Sequence, residues 1–306
     1  MSSKQEKNMK LKALSAAILL SSSTMAFAQH HDDGHGHGHA AHMGPTVSCT
    51  DMATPPWAGL ATADREQVAT LQKELAAFNT PETAKAAGFM PVLGDIPGMG
   101  THYISIERAM RGKNLDVNDP DQLLFREEQL VGAAYSFTDV PNTQVPLPFN
   151  SDLAAWHDHP QFAADGQTLH MLHVWFVPSS NGPFAGLNFW LPYETAGVGI
   201  PNPCWMANES DADIIRNVSF ALVDQEFERP EMLAALDVAA RNDDRGAWLA
   251  AADQFIGDLS SFEVAQVQGL LGVLGENQMS SAERDAAGIA QPSFDREVRP
   301  EDLINE

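Results

Sequence analysis

The chain is short of cysteine, of positive charge and of long apolar runs. Of its 306 residues, 2 are cysteine and 18 are Lys or Arg, against 41 Asp or Glu. So acidic a surface makes nucleic acid and anionic membranes poor partners, and cations good ones. Beyond residue 28, no stretch reaches the roughly 18 apolar residues that a transmembrane helix needs. Motifs are missing as well. There is no G-x-S-x-G, no P-loop, no G-x-G-x-x-G and no H-E-x-x-H, which argues against serine-hydrolase, nucleotide-binding and zincin readings. Nor do any two carboxylates pair by spacing as a glycosidase couple would.

The first 28 residues have the layout of an export signal. Lys4, Lys7, Lys10 and Lys12 precede an apolar segment that ends in Ala26–Phe27–Ala28, an A-x-A cleavage site. Cleavage after Ala28 leaves 14 basic against 40 acidic side chains and places the mature chain in the periplasm or outside the cell, with no integral membrane segment. Cys49 and Cys204 are then expected to form one disulfide in an oxidising compartment. It would close a loop of roughly 150 residues, which the chain-entropy treatment puts at ~4–5 kcal/mol.

Residues 29–48, "QHHDDGHGHGHAAHMGPTVS", are of low complexity and should be disordered without metal. Apolar residues at helical spacing (Ala63, Val68, Leu71, Leu75, Phe78) predict a helix over 64–79 capped by Asp64. A second is expected over 81–87, ending at Gly88. The middle third changes period. "THYISI" alternates, and "DQLLFREEQLVGAAYSFTDV" reads as two strands around Glu127–Glu128–Gln129. "TLHMLHVWFVP" has the length and aromatic content of a buried strand, and "LNFWLPY" reads as one more short strand. From Asp211 the chain is Ala-, Leu- and acid-rich and reads as three or four helices, with a frayed tail from Pro292. The expected fold is α+β: an antiparallel sheet carrying a histidine site, an N-terminal helical pair and a C-terminal helical region. The expected division is 49–205 for the α+β part and 206–306 for the helices.

Eleven histidines remain to be explained. Five lie in the folded part, at His102, His157, His159, His170 and His173. Neutral imidazole is the commonest metal ligand, and residues two apart on a strand share a face. His157 and His159 in "WHDHP" should therefore point the same way, as two ligands of one ion must, and Pro160 should leave them at a sheet edge. His170 and His173 are three apart, so a regular strand admits one of them to the site unless a bulge intervenes. His102 shares a strand face with Ile104 and should point inward. Asp158 would face away from its flanking histidines. The other six, His30, His31, His35, His37, His39 and His42, alternate with glycine in a flexible arm suited to Zn²⁺, Cu²⁺ or Ni²⁺. A mature chain beginning Gln29–His30–His31 would also offer amine, amide and imidazole nitrogens to square-planar Cu(II) or Ni(II).

"GMGTHYI", "DQLLFREEQLVGAAYSF" and "LHVWFVPSSNGPFAGLNFWLP" together resemble a group of secreted bacterial proteins of uncharacterised function. That group's pattern runs MG-x-HY, PE-x-LLY, LVGVEY, LHVW-x-W, NP-G-F and WNP. The resemblance spans about residues 60–204 and falls on His102, Tyr103, Tyr135, His173, Trp175, Gly182, Phe184 and Asn188. It implies a shared fold and a histidine-containing site but supplies no reaction. One departure stands out: Ala134 occupies the place of the pattern's Glu.

The sequence thus leads to an exported protein that binds or sequesters a divalent transition metal, zinc or copper, with metal ions as its partners. The alternative is a mononuclear metalloenzyme, a hydrolase or oxidoreductase with His-ligated Zn, Cu or Fe, in which Tyr103, Tyr135 or Trp175 could serve the chemistry. Spacing identifies no general acid or base beside the histidines, which favours binding over catalysis.

Overall fold

A computed structural model of the chain describes residues 48–159, 166–180, 182–223 and 229–277. The expected export segment, nearly all of the histidine arm, Pro160 and the tail from Pro292 lie outside the described residues.

Short helix α1 (Cys49–Ala53) begins at Ser48, whose hydroxyl accepts from the Asp51 amide. Helix α2 covers Thr62–Glu74 and continues as a 3₁₀ turn over Leu75–Phe78. It starts two residues before the expected cap. Asp64 is a buried first-turn residue, where its charge meets the positive end of the helix, and Ala61 is the N-cap. Val68, Leu71 and Leu75 form the buried stripe. Helix α3 (Pro81–Ala86) has Pro81 at its first turn and a reciprocal Thr80–Thr83 capping box, and Gly88 follows it at a φ of 88°.

The sheet has six antiparallel strands in the order β1-β2-β3-β4-β6-β5. They are β1 (Met90–Ile96), β2 (Gly100–Ile104), β3 (Gln122–Arg126), β4 (Gln129–Asp139), β5 (His157–His159) and β6 (Thr168–Trp175). Strand β1 escaped sequence reading because Pro91, Gly94 and Asp95 break its pattern. As an edge strand it tolerates them, with a register shift between Val92 and Asp95. Between β2 and β3 comes α4 (Ile106–Ala109).

Gly132 is where β4 approaches β6 most tightly. A Cβ there would sit 2.7 Å from the Val174 carbonyl oxygen and 3.2 Å from the Trp175 ring. Gly132→Ala should therefore push β4 away from β6 and lower stability by about 1–3 kcal/mol, as overpacking typically does. Urea titration of the variant measures this, and an unchanged midpoint would refute the close approach.

"LNFWLPY" is helical, not extended: α5 runs Trp190–Thr195. Pro192 would remove a ladder donor from a strand but is tolerated in a first helical turn. Asn188 starts the turn by accepting the Trp190 amide. The large side chains then turn toward the C-terminal helices, where the Tyr193 hydroxyl donates to the Ile215 carbonyl. After a 3₁₀ turn at Pro203–Ala207 come α6 (Glu209–Ala221), α7 (Pro230–Arg241), α8 (Arg245–Gly257) and α9 (Ser261–Asn277). Asn208 and Asp244 cap α6 and α8, and a bidentate Arg245–Asp211 pair joins those two helices.

The fold is α+β, as expected, with two apolar cores. One is the sheet with α2 and α3, built around Phe125, Tyr135, Leu172 and Trp175. The other gathers Phe189, Trp190, Tyr193, Ile215, Phe220, Leu236, Trp248 and Phe255. Helix α5 bridges the two cores, with Leu191 in the sheet core and Trp190 and Tyr193 packed with the helices that follow it. Cys49 and Cys204 are joined as a disulfide with Cα atoms 5.1 Å apart, tying α1 to the 3₁₀ turn before α6. Among the described residues no helix is long and apolar enough to cross a membrane.

Candidate metal centre

Strand pairing brings four of the five histidines together. His157 lies opposite Met171 and His159 opposite Leu169, so both share the β6 face that carries Met171 and His173. Across the sheet, His102 is in register with Leu124, Leu124 with Gly132, and Gly132 with Trp175, which puts His102 on that same face. Three strand spacings of about 4.8 Å would set β2 and β6 about 14 Å apart in a flat sheet. Yet the Nε2 atoms of His102 and His173 are 3.3 Å apart. The sheet is therefore coiled, and this face is its concave side. The small residues Gly132 and Ala134 on intervening β4 leave the hollow open for the rings.

The rings pack closely. Centroids are 5.4 Å apart for His102–His173, 4.8 Å for His157–His173 and 4.9 Å for His157–His159. Their residues are sealed from solvent, with exposures of 4 % for His102, 5 % for His157, 4 % for His159 and 0 % for His173. The pair on β5 is thus at a sheet edge, as its spacing implied, but covered rather than solvated. Helix α9 approaches β5 from outside.

His173 has one nitrogen committed. Its Nδ1 is 2.8 Å from the Gly186 carbonyl, so Nδ1 carries the proton and Nε2 presents a lone pair. A backbone carbonyl on the far nitrogen is the usual orienting contact of a metal-ligating imidazole. That lone pair faces His102 Nε2 at 3.3 Å and the Met171 Sδ at 3.1 Å. On His157, Nε2 is buried and has no hydrogen-bond partner among the described residues.

Burial keeps His102, His157 and His173 neutral. Desolvation holds His102 and His157 well below the ordinary imidazole pKa, and neighbouring histidines push both the same way: His173 then His159 for His102, with His102 also acting on His157. Desolvation lowers His173 to about 4, slightly offset by Gly186. Neutral imidazole is the ligating form.

His170 stands apart. The three-residue step from His173 puts it on the convex face, where its Nδ1 is 2.8 Å from Asp158 and its ring stacks on Phe137. It does not join the other four. Asp158 does face away from its flanking histidines, and it is buried against His170 rather than at the surface. Tyr103 and Tyr135 also lie on the convex side; Tyr135 donates to the Val117 carbonyl. Trp175 alone of the three aromatic candidates borders the cluster, its ring 5.7 Å from that of His173.

Sequence reading missed two residues of this face. Met171 is one; the signal was available, since it stands two residues before His173 on a strand. The other is Asp121, just ahead of β3. Its carboxylate accepts from the Ser136 amide at 2.8 Å and from the Ser136 hydroxyl, which also accepts from Gln122. Burial raises Asp121 to about 6 against the lowering effect of those bonds. Ser136 is the register partner of Met171, which places this network beside the histidines.

Among the described residues, no three or more His, Cys, Asp or Glu side chains have their donor atoms converged as around a bound ion. The rings are gathered edge against face, and the Nε2 atoms of His102 and His173 stand at ligand-to-ligand distance. An open cleft of about 550 Å³ lies elsewhere, between Gln72, Asn79 and the Arg126–Gln129 turn. No family model matches the chain, and none of the curated proteins or solved structures compared with it matches either.

Proposed function

We propose that this is an exported metal-binding protein, whose buried histidines hold one zinc or copper ion and whose arm at residues 29–48 gathers ions for it. One observation carries the reading. The 3.3 Å between His102 Nε2 and His173 Nε2 is the edge of a tetrahedron with metal–nitrogen bonds of about 2.0–2.1 Å. Closing the set requires ring rotation at His157 and His159. The disulfide accords with export. The resemblance to the secreted bacterial group fits as well, because its Glu would fall at Ala134, directly opposite His173. Here a second pair of imidazoles would take that place.

A second reading, the mononuclear metalloenzyme, draws on Asp121, the buried acid that spacing alone did not reveal. Against it stands the closure of the site: a catalytic metal keeps a position open to substrate, and these rings are covered.

In a chain lacking His30 to His42, one tightly held ion should remain while weakly held ions are lost. His157→Ala and His159→Ala should each lower its affinity at least about tenfold, since even an outer-sphere partner costs 10–100-fold. Equilibrium dialysis with elemental analysis reads both effects. Unchanged stoichiometry and affinity in both variants would overturn the folded site. Loss of all tight metal on deleting the arm would leave the arm as the binder.

A further inference from the structure

The folded site, if it holds a metal as proposed above, need not be indifferent to which one. We infer that it is a site for monovalent copper, with Met171 as a thioether ligand beside the imidazoles.

Three observations carry this. The first is a contact that needs a cation. His173 Nδ1 spends its proton on Gly186, so Nε2 and the Met171 Sδ meet as two lone-pair atoms 3.1 Å apart in a dry interior. Two acceptors at that distance gain nothing from each other, and a shared soft cation turns the contact favourable. The second is the donor set. Thioether and imidazole suit Cu(I), whereas zinc takes thiolate, imidazole and carboxylate oxygen. The third is charge. The register neighbours of the cluster on its own face are Met171, Leu169, Ser136, Ala134, Trp175, Leu124 and Val92, and none is acidic; the carboxylate of Asp121 reaches this face only at Ser136, whose amide and hydroxyl it already accepts from. Asp158 is turned to the other face against His170. Imidazoles and a thioether supply no negative charge. The Born cost of burying an ion rises with the square of its charge, so a divalent ion faces about four times the penalty of a monovalent one in the same hollow.

Met171 is 6 % exposed and packed among the rings, so Met171→Leu conserves its bulk and removes its sulfur. The full-length chain should be loaded anaerobically with one equivalent of Cu(I), under ascorbate, and examined by copper K-edge X-ray absorption. Affinities for Cu(I) and Zn(II) come from competition with chromophoric chelators. A copper–sulfur scattering path is expected in the wild type and should vanish in Met171→Leu. Cu(I) affinity should fall tenfold or more in that variant, with Zn(II) affinity changed less than threefold. No sulfur path, a path that persists in the variant, or an equal effect on both metals would overturn the copper assignment. His157→Ala separates the two levels of the argument. If it weakens tight binding of either metal while Met171→Leu is silent, the histidine site stands without copper preference. If His157→Ala and His159→Ala both change nothing, the site itself falls.

Discussion

His173→Ala should have the largest effect of any single substitution in the sheet. The ring is fully buried, supplies the lone pair that faces both His102 and Met171, and holds the Gly186 carbonyl through its other nitrogen. Removing it deletes the proposed central ligand, opens a cavity and strands a buried carbonyl. Tight metal binding should disappear, and the metal-free protein should lose about 3–5 kcal/mol, in the range of large aromatic truncations in a core. Urea unfolding of the chelator-treated protein and a metal titration read these independently. Wild-type metal affinity in a folded His173→Ala protein would refute the central role given to this ring.

Acid should destabilise the metal-free protein early. An unfolded chain takes up imidazole protons near pH 6.5, whereas burial holds folded His173 to about 4 and keeps His102 and His157 well below the ordinary value. Between those limits the unfolded state binds more protons, so stability rises with pH and is lost as pH falls. Each imidazole contributes up to about 1.4 kcal/mol per pH unit, and His173 about 3 kcal/mol across its window. Asp121 works the other way. Its carboxyl is raised to about 6 in the fold, so it favours the folded state most below pH 3.8 and gives up that stability as pH rises from 3.8 to 6. Three imidazoles outweigh one carboxyl, and the net loss on acidification should be visible between pH 6.5 and 4.5. A bound metal competes with the same protons and should carry the folded state to lower pH. Denaturation midpoints that stay level across this range in the chelated protein would mean that the rings are hydrated and readily protonated.

The site was legible wherever strand parity decided it. His157 and His159 share a face because they are two apart, and His170 parts from His173 because they are three apart; both follow from the pleat alone. What parity could not supply was the distance between β2 and β6. His102 meets His173 across two intervening strands only because the sheet coils, and coiling depends on Gly132 and the packing of the whole face. Met171 obeyed the same parity rule and was passed over because methionine so often fills a core. Strand β1 and helix α5 were misread for a common reason. Short segments containing proline take their conformation from what they pack against, and Trp190 and Tyr193 pack against helices far along the chain.

Residues 183–188 connect the two cores, and their backbone serves as a frame for the sheet. The carbonyl of Pro183 accepts from the Trp175 amide, that of Ala185 from the Trp175 indole, and that of Gly186 from His173. Two residues on, Asn188 donates its amide to Gly98, at the turn that leads into the strand of His102. The ring torsion of His173 is therefore referenced to a segment whose far end is anchored among the helices. The orientation of a buried ring is thus set from the helical side through backbone alone, with no contact inside the sealed hollow.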